Sequence, residues 1–119
     1  MTRHLALHTR TTTTGAVIEL TGELDHRTAP EVRAALPAAG LRAGQQLVLD
    51  LAGLTFCDSS GITVLIAARN HALAADASIA LAAVPNHLHR IFRIVGLEHV
   101  FPTHPTAEAA EAAWRPTTS

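Results

Sequence analysis

The chain has 119 residues, a formal net charge of −1, eight His and one Cys, and 48% of its residues are apolar, which fits one domain around one core. All nine basic residues are Arg, balanced by ten acidic ones, so no basic surface of the kind that selects nucleic acid or an anionic membrane is expected. One Cys excludes an internal disulfide and suits a cytoplasmic protein; the N-terminus lacks the apolar core of a signal peptide, and no apolar run is long enough to span a bilayer.

With three Phe, one Trp and no Tyr, the core must be built from Leu, Val, Ile and Ala. His4 to His8 alternates as a short first strand. Thr11 to Thr14 and Gly15 read as a turn. Ala16 to Thr21, alternating and β-branched, is a second strand, and the two form an antiparallel hairpin. Gly22-Glu23-Leu24-Asp25 leads into a helix. Thr28 and Glu31 have the spacing of a capping box, and Pro30 lies in the first turn, where its missing N–H costs little. Val32, Ala35 and Leu36 make the apolar face. Pro37 is expected to end or kink this helix, and Gly40 and Gly44 bracket the following loop.

The stretch from Leu47 to Leu73 organises the remainder. Leu47-Val48-Leu49, with Asp50 and Leu51, suits a strand buried on both faces. Gly53 to Asp58 follows as a loop. From Ile62 the period becomes helical, through Leu65, Ile66, Arg69 and Leu73. Asp58, Ser59 and Ser60 are helix-capping residue types, and capping alone would account for them. A hydroxyl there also sits where a phosphate is tolerated, because free N–H groups and the helix dipole favour an anion. A phosphoserine would add about −1.5 to −2 charges to the surface without unfolding the domain. Val64, Ala67 and Ala68 lie partly off the apolar stripe. They form either a contact patch for a partner or a contact with the last helix, and the periodicity favours neither.

Ser78 to Val84 is another apolar strand. Pro85 and Asn86 begin a helix, with Asn86 as cap, Leu88, Ile91, Phe92 and Val95 on its apolar face, and Gly96 just past its end. Val100-Phe101 is a short last strand. Thr106 caps a final Ala-rich helix to about Trp114, and 116–119 is a frayed tail. Strands alternate with helices after the hairpin. The expected fold is therefore α/β: a mainly parallel sheet with an antiparallel N-terminal edge hairpin, covered by about four helices.

No motif points to an enzyme. Cys57-Asp58-Ser59-Ser60-Gly61 is not G-x-S-x-G, and His71 lies about three turns along the helix from Ser59. No Walker A or G-x-G-x-x-G motif occurs. His87 and His89 fall on different helix faces, and His4 and His8 are too far apart along a strand to share one ion, so no metal site or cofactor is expected. Cys57, between Phe56 and Asp58, has no neighbour that would stabilise a thiolate, and a packing role is expected.

Three segments, in order, carry a family resemblance. They are Gly22-Glu23-Leu24-Asp25; Leu47 to Gly61, ending in Phe56-Cys57-Asp58-Ser59-Ser60-Gly61; and Pro85 to Leu97, with Arg90, Phe92 and Gly96-Leu97. Together they resemble a single STAS domain of the anti-sigma factor antagonist type, over residues 1–115. The resemblance implies a non-enzymatic protein that binds an anti-sigma factor with serine kinase activity and so releases a sigma factor. It implies phosphorylation of the first Ser after the loop Asp, here Ser59, and reversal by a PP2C-type phosphatase. Partner contacts are expected around the loop at Asp25, Asp58, Ser60, Gly61, Thr63 and Val64. Members often carry Gly where this chain has Thr63, which bears on the choice of partner. Two other readings stand beside this one. One is a STAS docking subunit of a stressosome-like or lipid-transport assembly that is not phospho-regulated. The other is a small-molecule or nucleotide sensor holding an anion at Ser59. Intact Asp58-Ser59-Ser60 favours the antagonist over the docking subunit, and the lack of a phosphate-binding loop disfavours the sensor.

Overall fold

Period-two alternation along three strands gives one sheet two apolar faces, and helices cover both. The structure, a computed structural model, describes residues 5–115. The elements run β1 (Leu5–Thr12), β2 (Gly15–Leu24), α1 (Ala29–Ala38), β3 (Gln46–Cys57), α2 (Ser59–Ala74), β4 (Ser78–Ala82), α3 (Asn86–Val95), β5 (Thr103–His104) and α4 (Ala107–Ala113). The sheet order is β1-β2-β3-β4-β5. β1 is antiparallel to β2, and every other pairing is parallel. This is the expected α/β architecture, in the expected order.

On one face Ile18, Leu20, Leu47, Leu49, Leu51, Ile79 and Leu81 pack against Val32 and Leu36 of α1, Leu65 and Ala68 of α2, and Leu88 and Phe92 of α3. The intervening residues Val17, Val48, Ala80 and Ala82 face the other way, onto Ala107 and Ala110 of α4. Three helices thus cover one face and a single seven-residue helix covers part of the other. Helix α3 ends as expected at Gly96, whose φ of 80° is left-handed, and Leu97 N–H donates to the Phe92 carbonyl at 2.7 Å. This closes the last turn in the way glycine permits.

Several boundaries differ from the sequence expectation. His4 and 116–119 lie outside the described residues. Thr11 and Thr12 continue β1, paired with Ala16 and Gly15, so only Thr13 and Thr14 turn. β3 does not end near Leu51 but runs to Cys57, beside β2, through register shifts between Glu19 and Thr21 and between Gly22 and Glu23. Such bulges break the alternation by which a strand is recognised. Helix α1 passes Pro37 and ends one residue later, because a proline in the last turn removes only one helix hydrogen bond. The capping box does not form: Thr28 has helical dihedrals and makes no side-chain cap bond. Pro85, not Asn86, caps α3. The last strand is Thr103–His104 rather than Val100-Phe101, since the Phe101 ring is buried against Phe92 with centroids 5.8 Å apart. Leu73 reaches the surface near the end of α2.

Candidate functional site

Parallel β2 and β3 end side by side, with Leu24 opposite Cys57. The next residue of each strand is an aspartate, Asp25 leading to α1 and Asp58 leading to α2. The sheet register therefore places both acids, 33 positions apart in sequence, at one edge. Asp58 N–H donates to the Leu24 carbonyl at 3.3 Å, tying the two strand ends together.

Asp58 is the N-cap of α2. Its backbone is extended (φ −100°, ψ −169°), and its carboxylate accepts the Gly61 N–H at 3.1 Å. A carboxylate at this position satisfies a first-turn donor and complements the dipole. Ser59 is the first helical residue and is exposed. Its hydroxyl makes no hydrogen bond to a described residue, while its carbonyl accepts the Thr63 hydroxyl at 2.9 Å. Gly61 is buried, and a Cβ there would lie 2.5 Å from Cys57 Sγ and 2.8 Å from the Leu24 carbonyl oxygen. Only glycine lets α2 start this close to the strand ends. Burial, and then the neighbouring Asp58, push the Cys57 thiol up to about 12, so it stays protonated and unreactive near neutral pH.

Asp25 is only 6% exposed. One of its carboxylate oxygens accepts the N–H groups of Arg27 at 2.9 Å and Thr28 at 3.2 Å. The Thr28 hydroxyl accepts the Asp25 N–H at 2.9 Å and donates to the Glu23 carbonyl at 2.8 Å. The hydroxyl read from the sequence as a cap is thus spent on fixing the turn before the helix.

Glu23, Asp25, His26, Arg27, Phe56 and Asp58 line an open depression of about 590 Å³. A second groove, of about 250 Å³, lies beside it between the starts of α1 and α2, lined by His26, Ala29, Pro30, Arg33, Ser60 and Thr63. Of the residues expected from the sequence, Asp25 and Asp58 meet in the first, and Ser60 and Thr63 meet in the second. Gly61 and Val64 are corrections. Both are buried, Val64 completely, and neither offers a contact surface. Val64 belongs to the same core as Val32 and Leu36 of α1, because α2 is covered by α1 as well as by the sheet. Ala68 is buried there too, whereas α4 lies on the opposite face. The sequence reading missed Phe56, which is 47% exposed, and with it Glu23, His26 and Arg27. An aromatic residue shortly before an acidic cap was the available signal.

Among the described residues, no group of three or more His, Cys, Asp or Glu is placed to hold a metal ion, and no helix is long and apolar enough to cross a membrane. A family model described as "Mlab, STAS domain" matches residues 7–102. The chain belongs to the STAS domain family. Among similar proteins, the anti-sigma-B factor antagonist of Listeria monocytogenes is 31% identical over 83 residues, covering 70% of this chain and 73% of that one. An anti-sigma factor antagonist from Mycobacterium paratuberculosis superposes with a TM-score of 0.79 at 27% identity, covering 94% of this chain and 95% of that one. The Bacillus cell fate determinant SpoIIAA, in its phosphorylated form, superposes with a TM-score of 0.72 at 25% identity, covering 92% and 100%.

Proposed function

We propose that this STAS domain is a cytoplasmic anti-sigma factor antagonist, a binding module and not an enzyme, switched off by phosphorylation of Ser59. The observation that carries the reading is the exposed Ser59 hydroxyl on the first residue of α2, bordered by the Asp58 cap and the acidic depression. The names of its relatives support the antagonist role, and the phosphorylated state of one structural neighbour supports the switch. The partner is an anti-sigma factor with serine kinase activity. It docks over Asp25, Phe56 and Asp58 on one side of Ser59 and over Ser60 and Thr63 on the other. A PP2C-type phosphatase restores the unmodified form.

The physics of the switch is local. A phosphate on Ser59 faces outward from a helix N-terminus, so the fold accepts it. It also brings about −1.5 to −2 charges to a surface that already carries Asp25, Asp58 and Glu23. Against one like charge on a docked partner, at ~7 Å and an effective dielectric of ~20, each added charge costs on the order of 2 kcal/mol. Each ~1.4 kcal/mol is tenfold in affinity, so one such pair weakens binding by more than tenfold.

The test is intact mass before and after incubation with ATP and candidate kinase-type anti-sigma factors, with Ser59→Ala alongside. One added phosphate on the unmodified sequence, none on Ser59→Ala, and at least tenfold weaker binding of the phosphorylated form support the reading. Stable binding of a candidate without phosphate transfer would instead make the domain a docking subunit.

A further inference from the structure

Among the described residues four large apolar side chains are exposed, and three of them lie away from Ser59: Leu73 (48%), Ile94 (82%) and Val95 (54%). Leu73 is in the last turn of α2, and the other two end α3. Because β3, β4 and β5 are parallel, successive crossovers bring the C-termini of both helices to the same edge of the helical layer. Val95 falls on the apolar stripe of α3 by its spacing, yet more than half of it stays in water. Ile94 shares a crevice of about 290 Å³ with Arg90 and Arg93. Both arginines are exposed, and neither makes an ion pair or a side-chain hydrogen bond with a described residue. Glu98, two residues past the helix-ending Gly96, lies 4.0 Å from His99 instead.

The helix dipole favours a cation in the last turn, which accounts for Arg93 but not for the aliphatic residues beside it. Exposed aliphatic residues gathered at one edge and rimmed by charge mark an interaction surface, and Arg is enriched in such interfaces. The charge selects the occupant. A second copy seated by the same face would set arginine against arginine, so like charges exclude it. Two arginines also fall short of the roughly four to eight basic residues that hold a segment to an anionic bilayer. Carboxylates on a protein partner fit, because each guanidinium forks onto one of them. Arg90 lies one turn before Ile94 on the same side of α3, so a partner helix meets the patch with acids and an aliphatic side chain at its own one-turn spacing. We propose that this end of α3 docks an acidic amphipathic helix of a partner protein, with a leucine-like side chain in the crevice on Ile94 and carboxylates on Arg90 and Arg93. The surface stands independently of the reading of Ser59. About 21 Å of helix separates Ser59 from Leu73, both in α2.

The experiment follows the amides of the full chain by proton–nitrogen correlation spectra. The probe is a capped helical peptide of about 20 residues, long enough to hold a helix in water, with leucines at i, i+3, i+4 and i+7 and glutamates on both flanks. Its control carries Gln in place of every Glu. The expected result is a saturable shift of amides 90–97 with the acidic peptide. Binding should be at least tenfold weaker with the Gln peptide, with Ile94→Ser, and with Arg90→Glu and Arg93→Glu combined. Ile94 is 82% exposed and both arginines are exposed, so these variants keep the core intact. The proposal is overturned if the acidic peptide gives no saturable shift up to ~1 mM, tenfold above the ~0.1 mM expected of a small transient contact. It is equally overturned if the Gln peptide or the variants bind as well, or if the shifts fall at Asp25 and Asp58 instead. Sedimentation of the chain with phosphatidylglycerol vesicles, lost in the same variants and without any peptide binding, would assign the surface to a bilayer and overturn it too.

Discussion

Replacing Gly61 by Ala tests whether close packing sets the position of Ser59. Gly61 lies in the first turn of α2 and has ordinary helical dihedrals, so the change would raise helix propensity by up to about 1 kcal/mol in isolation. The structure opposes this gain. The new Cβ would stand 2.5 Å from Cys57 Sγ, 2.8 Å from the Leu24 carbonyl oxygen and 3.0 Å from Leu24 Cγ. Overpacking of a filled core costs roughly 1–3 kcal/mol. A backbone carbonyl among the contacts, which cannot rotate away, puts this case near the upper end. The expected net loss is about 2 kcal/mol, or about 8 °C in melting temperature for a chain of this size. Thermal and urea melts followed by circular dichroism measure it. The double variant Cys57→Ala with Gly61→Ala removes the nearest obstacle but not the carbonyl, so it should recover part of the loss relative to Cys57→Ala alone, on the order of 1 kcal/mol of coupling. A Gly61→Ala protein as stable as the parent would refute the close approach of α2 to the strand ends, and with it the positions of Asp58 and Ser59 at that edge.

Three further outcomes follow from the same edge of the sheet. Thr28→Val deletes the buried hydroxyl that serves the Asp25 N–H and the Glu23 carbonyl and should cost about 1–3 kcal/mol in urea melts, whereas an ordinary cap would lose about 1. Asp58→Ala should lose about 1 kcal/mol through the Gly61 N–H, and Asp58→Asn, which can still accept that bond, should keep most of it; equal melting temperatures for the two variants would argue against capping. The third concerns pH. The folded thiol of Cys57 is raised from 9.0 to about 12, so its contribution is fully present below about pH 9 and is lost as pH rises from there towards 12. The chain has no Lys and no Tyr, so no other side chain titrates in most of that window. Urea midpoints at about pH 8 and about pH 10.5 should fall in the parent and stay level in Cys57→Ala.

Much of this was legible in the residues. The order of elements followed from the change of period at Ile62 and from the turn residues between runs. The caps Asp58 and Thr106 and the glycine at position 96 took the places their chemistry favours. What stayed hidden had tertiary causes. The second half of β3 could not be seen because its alternation is broken by irregular pairing with β2, and that pairing lies in a different part of the chain. Val64 was ambiguous because one helix wheel cannot say how many neighbours a helix has; α1 covers the side that a lone stripe would leave open. Thr28 had the spacing of a capping box, yet its hydroxyl found stronger partners in Asp25 and Glu23. The depression itself required two strand ends to meet, and no local pattern encodes that.

The uneven cover of the sheet bears on how the molecule moves. The face under α1, α2 and α3 is filled by Leu, Ile and Phe, while the face under α4 is filled by Val17, Val48 and four alanines. Small side chains bury little apolar area, so α4 is held to the sheet by a fraction of the free energy that holds the other three helices. Local opening should therefore begin there, with amide exchange in 107–113 faster than in α2. Such opening uncovers Val17 and Val48 while leaving the two strand ends that carry Asp25 and Asp58 clamped. One end of the domain can breathe while the other keeps its shape.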